Sequence, residues 1–561
     1  MKIIIHSSCK ALKYNVLDGR EIIFWGDRYA GAQDEYFINE LQEAIDNQKS
    51  LSSDCKEEPG IFIINHPEKG IMLYSDFAVP VSFYYSVREG NFYCGNTDKK
   101  VADLIEGSKN IDKTGVYQRL CIGYTIGHRT RYHNVSVLTP GSIVFINDQV
   151  KKKITLPYEY CKNVSLKDTY EAIREEVSHL KEYMNLGLML SAGYDSRILL
   201  SACIDSEIKL NTAYTHGLMK SLELNVAYNL AKEASVDRIV QVDAGKKMFG
   251  SRDDLQLLFN DVGCLYNTCW RLAGEYFKAM NILPICGVQA EILNGQYLQG
   301  SRAVSNYKLK YNIARHGYDA YVKDKKTFTD FCLQSSPQDH LIKFTIPEIQ
   351  EKITEYKEDT QEDLMSLSEI YRESCQSWSD AFIRFLCEHD GAKLMAQQAE
   401  ILRRYTPVVT PFTGRKVVTL CNSYKNKDKI FGRAMRQILN DYAPRLAKYR
   451  CTKSLLPATA PDWLYIIGRT LTPVANNRRI KKYLRIKGDR DYLPVKNTWE
   501  GGDVWLRDDN EIDELKELLT GTLLNIERMN KWLDEISLYK IGVGDGQDLL
   551  RVLEHDLLLG S

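Results

Sequence analysis

The stretch Leu188-Met189-Leu190-Ser191-Ala192-Gly193-Tyr194-Asp195-Ser196-Arg197 decides the fold of the middle of this chain. An apolar strand runs into a turn of small residues, and the turn opens a helix. Small residues let backbone N–H groups approach an anion closely. The helix N-terminus adds partial positive charge, and the hydroxyls of Ser191 and Ser196 add donors. The carboxylate of Asp195 would by itself repel a phosphate. It fits if it holds Mg²⁺, which bridges to phosphate oxygens. The plainer reading is a turn that only closes a strand–helix unit, since short motifs of this kind often carry no chemistry.

On either side of the turn, strand and helix patterns alternate. From Ser165, Ile173, Val177, Leu180 and Met184 are spaced as on one helix face. A strand over Leu186–Leu190, the turn, and a helical pattern over Arg197–Cys203 follow. Then come a strand over Lys209–Tyr214, a helix around Glu223–Ala234, and strands over Arg238–Val242 and Leu283–Cys286. Such alternation predicts a parallel sheet covered by helices. Residues 1 to about 160 read differently. Short β-rich runs at Ile61–Ile64, Ile71–Tyr74, Val81–Tyr85, Asn91–Cys94 and Ser142–Ile146 are broken by Gly and Pro turns, and predict stacked antiparallel sheets. Lys151-Lys152-Lys153 reads as a solvated junction. From about 310 to 560 the chain is mainly helical, with a basic amphipathic segment at 477–490 that reads as a solvated helix, or alternatively as a surface for an anionic membrane or acidic partner. The boundaries expected are 1–160, 165–470 and 471–561.

At 561 residues, several domains are expected. Lys+Arg equals Asp+Glu at 74 each, so nothing in the overall balance points to a nucleic-acid partner. No apolar run approaches the ~20 residues needed to span a bilayer, and the start reads as a first strand rather than a signal, so a cytoplasmic protein is expected. The 14 cysteines form no Cys-x-x-Cys pair and lie apart from the histidines, which predicts reduced, mostly buried thiols and no zinc site.

The turn resembles the pyrophosphate-binding loop, Ser-Gly-Gly-x-Asp-Ser, of the asparagine synthetase family. Three further segments resemble that family in the same order. Thr215-His216-Gly217 with Ser221, Glu223 and Ala227 is similar to the strand end and helix after the loop. Ile285-Cys286-Gly287-Val288-Gln289-Ala290-Glu291 through Gly295-Gln296-Tyr297 is similar to a worn form of its Ser-Gly-Glu-Gly-x-Asp-Glu-x-x-Gly-Gly-Tyr. Thr410-Pro411-Phe412 resembles its Pro-Phe step. Asp76–Tyr85 with Thr139-Pro140-Gly141-Ser142 resembles the back half of its glutamine amidotransferase-like domain. The resemblance spans about residues 60–460. It implies a mixed α+β and α/β fold: an Ntn-hydrolase-like β-rich domain, an adenine nucleotide α-hydrolase-like (ATP pyrophosphatase) domain on a parallel sheet, and a helical C-terminal part.

The same resemblance implies roles. Ser191, Ala192, Gly193, Tyr194 and Ser196 would surround pyrophosphate, and Asp195 and Glu291 would hold magnesium. Tyr214 and Thr215 would lie near adenine, mainly through backbone groups, with Cys286 and Gly287 beneath the nucleotide. Lys453, with Lys448 as its competitor, would stabilise the charge developing on the phosphates during adenylation. The implied activity uses ATP and Mg²⁺ to activate a small-molecule or peptide carboxylate as an acyl-adenylate, which ammonia or an amine then captures; surface-polysaccharide or natural-product synthesis is the expected setting, and a homodimer the expected assembly. The alternatives are a peptide macrolactam cyclase of the lasso type and an inactive nucleotide-binding scaffold. The sequence departs from the family at three places. Ala192 replaces a Gly, which is strained only if its φ is positive. Val288 stands where asparagine synthetases carry Glu, and it cannot move a proton. Residue 2 is Lys rather than the nucleophilic N-terminal Cys, and Cys9 could serve only if eight residues were removed, so the first domain is expected to lack glutaminase activity.

Overall fold

The computed structural model describes residues 2–6, 12–15, 20–26, 35–55, 59–79, 81–105, 110–147, 151–217, 221–243, 252–265, 267–294, 312–313, 315–334, 339–452, 454–475, 513, 515–517, 519, 521, 523–537 and 551–554. Lys453, Gly295–Tyr297, Cys9 and the basic segment 477–490 lie outside them. The fold is mixed α and β, with largely antiparallel sheets in the first part of the chain and a parallel sheet in the middle.

The first part holds strands β1 (Lys2–Ile5), β2 (Leu12–Asn15), β3 (Glu21–Trp25), β4 (Ile61–His66), β5 (Gly70–Ser75), β6 (Tyr84–Arg88), β7 (Asn91–Gly95), β8 (Ser136–Val137), β9 (Ser142–Ile146) and β10 (Lys151–Thr155), with helices α1 (Glu35–Asp46), α2 (Asp98–Leu104) and α3 (Lys113–Cys121). Two sheets form, in the orders β1-β7-β6-β8 and β10-β9-β5-β4-β3-β2. Side-chain alternation sorts the residues into layers. Ile23, Trp25, Ile63, Leu73 and Val144 meet Tyr85, Phe92 and Cys94 between the sheets. Their neighbours Ile22, Phe24, Phe62 and Met72 face the other way, onto Leu41 and Ile45 of α1. Tyr84 and Tyr93, on the outer face of the smaller sheet, pack with Val101 of α2 and Leu120 of α3. The result is four layers, helix–sheet–sheet–helix.

Three expectations change here. β1 pairs with β7 in parallel, not antiparallel; the long crossover such pairing needs is supplied by the strands between them. The strand expected from Val81 begins at Tyr84. The three lysines at 151–153 are not a junction but the start of β10, the edge strand paired with β9, where charge discourages further pairing.

The middle of the chain contains α4 (Leu166–Ser178), β11 (Leu186–Met189), α5 (Tyr194–Asp205), β12 (Thr212–Gly217), α6 (Leu222–Glu233), β13 (Arg238–Asp243), α7 (Arg252–Val262), α8 (Trp270–Ala279), β14 (Leu283–Ile285) and α9 (Glu291–Asn294). β11–β14 form a parallel sheet in the order β13-β12-β11-β14. Val409 adds a short parallel bridge outside β14, with Cys286 N donating to its carbonyl at 2.9 Å. Helices cover both faces. Ile173, Val177, Leu180, Ile198 and Leu230 pack on one; Ala273 and Phe277 of α8, with Ala399 and Leu402 from the helix Gln397–Arg403, pack on the other. α4 ends before Met184, which is 91% exposed rather than part of the apolar stripe. β12 starts three residues later than expected, and Ile208 and Leu210 are buried ahead of it without strand pairing.

The remaining described residues are largely helical and run back onto the first part. Arg415 donates twice to Asp76, at 2.8 Å each, and both are buried. Gly141 N also donates to Asp76 O at 2.9 Å. Lys393, in a nine-residue π-helical run, donates to Thr125 O and Gly127 O at 2.7 and 2.6 Å. Trp532, Met529 and Val552 share one apolar cluster with Val101 and Leu120. Every cysteine among the described residues is a free thiol, most of them buried. No helix among those residues is long and apolar enough to cross a membrane.

Candidate functional site

The strand order places the turn. Counted in chain order, β11 to β14 read 3-2-1-4 across the sheet, so the connections lead one way from β11 and then cross to its other side at β14. In open parallel sheets, ligands bind outside the carboxyl ends of the strands where the order reverses. β11 ends at Met189 and β14 at Ile285, and the two pair side by side, Leu188 with Ile285. The Ser191–Ser196 turn and the segment Cys286–Gly287 therefore leave the sheet at adjacent points on this edge. They also touch: a Cβ placed on Gly287 would lie 3.3 Å from Cβ of Asp195. A Cβ on Gly193 would lie 3.0 Å from Ser191 Oγ. Both glycines serve close approach.

The turn is held from within. Ser191 N donates to Ser196 Oγ at 3.1 Å, Gly193 N donates to Ser191 Oγ at 3.0 Å, and Ser196 Oγ donates to Ser191 O at 3.1 Å. The two hydroxyls thus shape the turn rather than stand free. Gly193 is the N-cap of α5, and no side chain caps the helix. Its neighbours in the sheet differ: Ser165 and Asp168 form a capping box on α4, and Ser221 Oγ accepts from Leu224 N on α6. The first amides of α5 are left for another acceptor. Ala192 has no positive φ, so its Cβ brings no strain there. Its side chain and that of Tyr194 are buried in the core, so both contribute backbone only.

The other expected residues divide. Tyr214 is fully buried against Tyr276 and Phe277, and its carbonyl accepts from Leu190 N at 2.9 Å. Thr215, one step nearer the edge, is the better placed of the two. Cys286 is a core residue beside Met189. Glu291 opens α9 four residues beyond Gly287. Among the described residues, no three His, Cys, Asp or Glu side chains gather as a metal site. Lys448 is exposed at the end of the short helix Pro444–Ala447.

Sequence reasoning passed over two residues. Arg197 is fully buried (0% exposed) beneath the turn. Its Nη2 donates to Ala192 O at 2.9 Å and Arg450 O at 2.5 Å; its Nη1 donates to Tyr449 O at 2.7 Å and Leu446 O at 3.3 Å. Burial pulls its pKa below the ordinary guanidinium value. The signal was present as an Arg inside an otherwise apolar helical turn. The second is Gln289, buried with φ +69° directly after Gly287 and Val288. A non-glycine residue in that region costs about 1 kcal/mol or more, and no local sequence pattern announces it. Nearby, His216 stacks edge-on against Trp270 at 6.1 Å, and burial pushes its pKa down to about 4, so it is neutral at pH 7.

No family model matches the chain, and no curated protein sequence matches it significantly. Function must be argued from the site itself.

Proposed function

We propose that this chain is an ATP-dependent amide-forming synthetase of the asparagine synthetase type, in which the Ser191–Ser196 turn receives the phosphates of ATP. The observation that carries the reading is the coincidence of three features at one point: the turn stands at the reversal of strand order, α5 behind it has no side-chain cap, and Gly287 packs directly on Asp195. The four-layer first part fits a worn Ntn-hydrolase-like domain, and the parallel sheet fits an adenine nucleotide α-hydrolase-like domain.

In this reading the amides at the start of α5 bind phosphate oxygens, and Thr215 and Gly287 border the base and sugar. Asp195 and Glu291 would supply the two carboxylates that, with phosphate oxygens and waters, suit Mg²⁺. Bound there, Mg²⁺ would neutralise phosphate charge. A substrate carboxylate attacks the α-phosphorus, pyrophosphate leaves, and an amine or ammonia then displaces AMP to leave an amide. Neutral, buried His216 adds no positive charge to the edge at pH 7.

The test is a screen of carboxylates, sugar uronates among them, with ammonium or amines and Mg-ATP, read as AMP and pyrophosphate. Release by the wild type and loss in Asp195→Asn are expected. A second reading, nucleotide binding without turnover, is favoured by the buried, apolar Val288. Mg-ATP binding with no AMP from any acid would support it, and absence of binding would contradict both.

A further inference from the structure

Arg197 is an unusual residue to bury. A guanidinium taken out of water is normally paired with a carboxylate. Here all four of its hydrogen bonds go to backbone carbonyls, one in the turn and three in the segment 446–450. The ring of Tyr194 lies 5.4 Å from the guanidinium carbon. An apolar side chain could fill this volume with less desolvation. What it could not do is join two backbones. A planar fork with several donors in fixed directions does so, which a lysine ammonium cannot reproduce.

The pattern of acceptors is specific. Leu446 O lies in the last turn of the short helix Pro444–Ala447, where it also accepts from the cap amide of Lys448 and from Tyr449 N at 3.4 Å. Tyr449 O and Arg450 O lie just past it. Lys448, exposed, sits between these anchor points. The same nitrogen, Nη2, binds Ala192 in the turn and Arg450 in the segment, so the two backbones stand one guanidinium apart. The segment is tied down further along as well: Cys451 N donates to Leu456 O at 2.9 Å, and Leu455 N donates to Cys451 O at 2.8 Å. Both ends of the lysine-bearing stretch are thereby fixed, one of them directly to the phosphate turn.

We propose that Arg197 is a positioning residue: it locks the segment 446–450 to the Ser191–Ser196 turn and so sets where Lys448 stands relative to bound phosphate. The proposal rests on the reading of the turn as a nucleotide site. It separates two effects of changing Arg197. The amides of the turn are built by Ser191, Ser196 and the start of α5, so affinity for Mg-ATP survives. The placement of the lysine does not, because cationic help at a phosphate falls steeply with misplacement.

The experiment uses the full-length wild type, Arg197→Lys and Arg197→Gln. Calorimetry gives the Kd for Mg-ATP. An acyl-phosphate derivative of ATP, which acylates lysines beside bound phosphate, gives a labelling rate at Lys448, read by mass spectrometry with and without competing Mg-ATP. Hydrogen exchange reports the amides of 446–452 and does not depend on nucleotide. Expected are Mg-ATP affinity within about threefold of wild type in Arg197→Lys, with labelling at Lys448 at least tenfold slower and faster exchange across 446–452. Should Arg197→Gln fail to fold, Arg197→Lys, which keeps the charge but not the fork, still decides. Unchanged labelling and exchange in that variant would overturn the proposal, as would a loss of labelling matched by an equal loss of affinity. Absence of Mg-ATP binding in the wild type would instead overturn the nucleotide reading on which it rests, and the calorimetric arm reports that separately.

Discussion

The two sheet regions handle buried charge in opposite ways. In the layered first part, each buried acid among the described residues has its cation: Asp98 with Arg131, Asp76 with Arg415, and Asp112 with Arg129. These buried charges are closed off pairwise. At the carboxyl edge of the parallel sheet the arrangement is left open. α5 begins without a side-chain cap, Arg197 is hydrogen-bonded to backbone carbonyls, and Gln289 holds a strained φ. Unspent polar capacity and strain gathered at one edge are what support the proposal of a binding site there.

The comparison can be broken first through the closed pairs. Asp76→Ala leaves Arg415 buried without its acid and should cost about 3–5 kcal/mol in chemical denaturation, while Mg-ATP affinity of the folded protein stays within twofold. A matching loss of affinity would mean that the two regions are one functional unit. Second, Gly287→Val pushes a side chain against Asp195 and should weaken Mg-ATP at least 100-fold, about 2.7 kcal/mol, with little change in melting temperature. The counterpart, Gly115→Ala in α3, runs into the backbone at Thr130 O; it should lower stability and leave affinity alone.

Third, acid should act on the open edge through His216. Its folded pKa is about 4 against about 6.5 when unfolded, so the unfolded chain takes up the proton first. Stability is then unaffected above pH 6.5 and lost as pH falls toward 4, by about 2 kcal/mol between pH 7 and pH 5. His216→Phe should remove that part of the slope in pH-dependent unfolding; an unchanged slope would place the sensitivity elsewhere. The smallest effect belongs to Ala192→Gly. With no positive φ to relieve, glycine adds only freedom to the unfolded chain, so a loss of about 0.5–1 kcal/mol is expected. A gain in stability would show that Ala192 is strained after all.

How legible the molecule was in its sequence follows from range. The turn and its strand and helix were readable because each is a local pattern: an apolar run, small residues, then the helical period over Arg197–Cys203, although the helix itself begins at Tyr194. Most strands of the first part were readable for the same reason, through short β-rich runs such as Ile61–Ile64 between Gly and Pro turns. What escaped was set by distant partners. Nothing near Lys2–Ile5 says that it pairs in parallel with Asn91–Cys94. Nothing near Lys151–Lys153 says that the lysines guard a sheet edge. The clamp by Arg197 depends on carbonyls some 250 positions away, and Gln289 takes its φ from packing after β14 rather than from its own preference. Tyr214 was assigned a role mainly through backbone groups, and its side chain belongs to a core that only the packed α8 reveals.

The central claim is that the turn at the carboxyl edge is a live nucleotide site. Calorimetric titration of Mg-ATP into the wild type and Asp195→Asn tests it most directly. The account predicts saturable binding by the wild type and at least tenfold weaker binding by a variant that is equally well folded, an effect of at least about 1.4 kcal/mol. No binding by a well-folded wild type, or equal binding by both proteins, would contradict it.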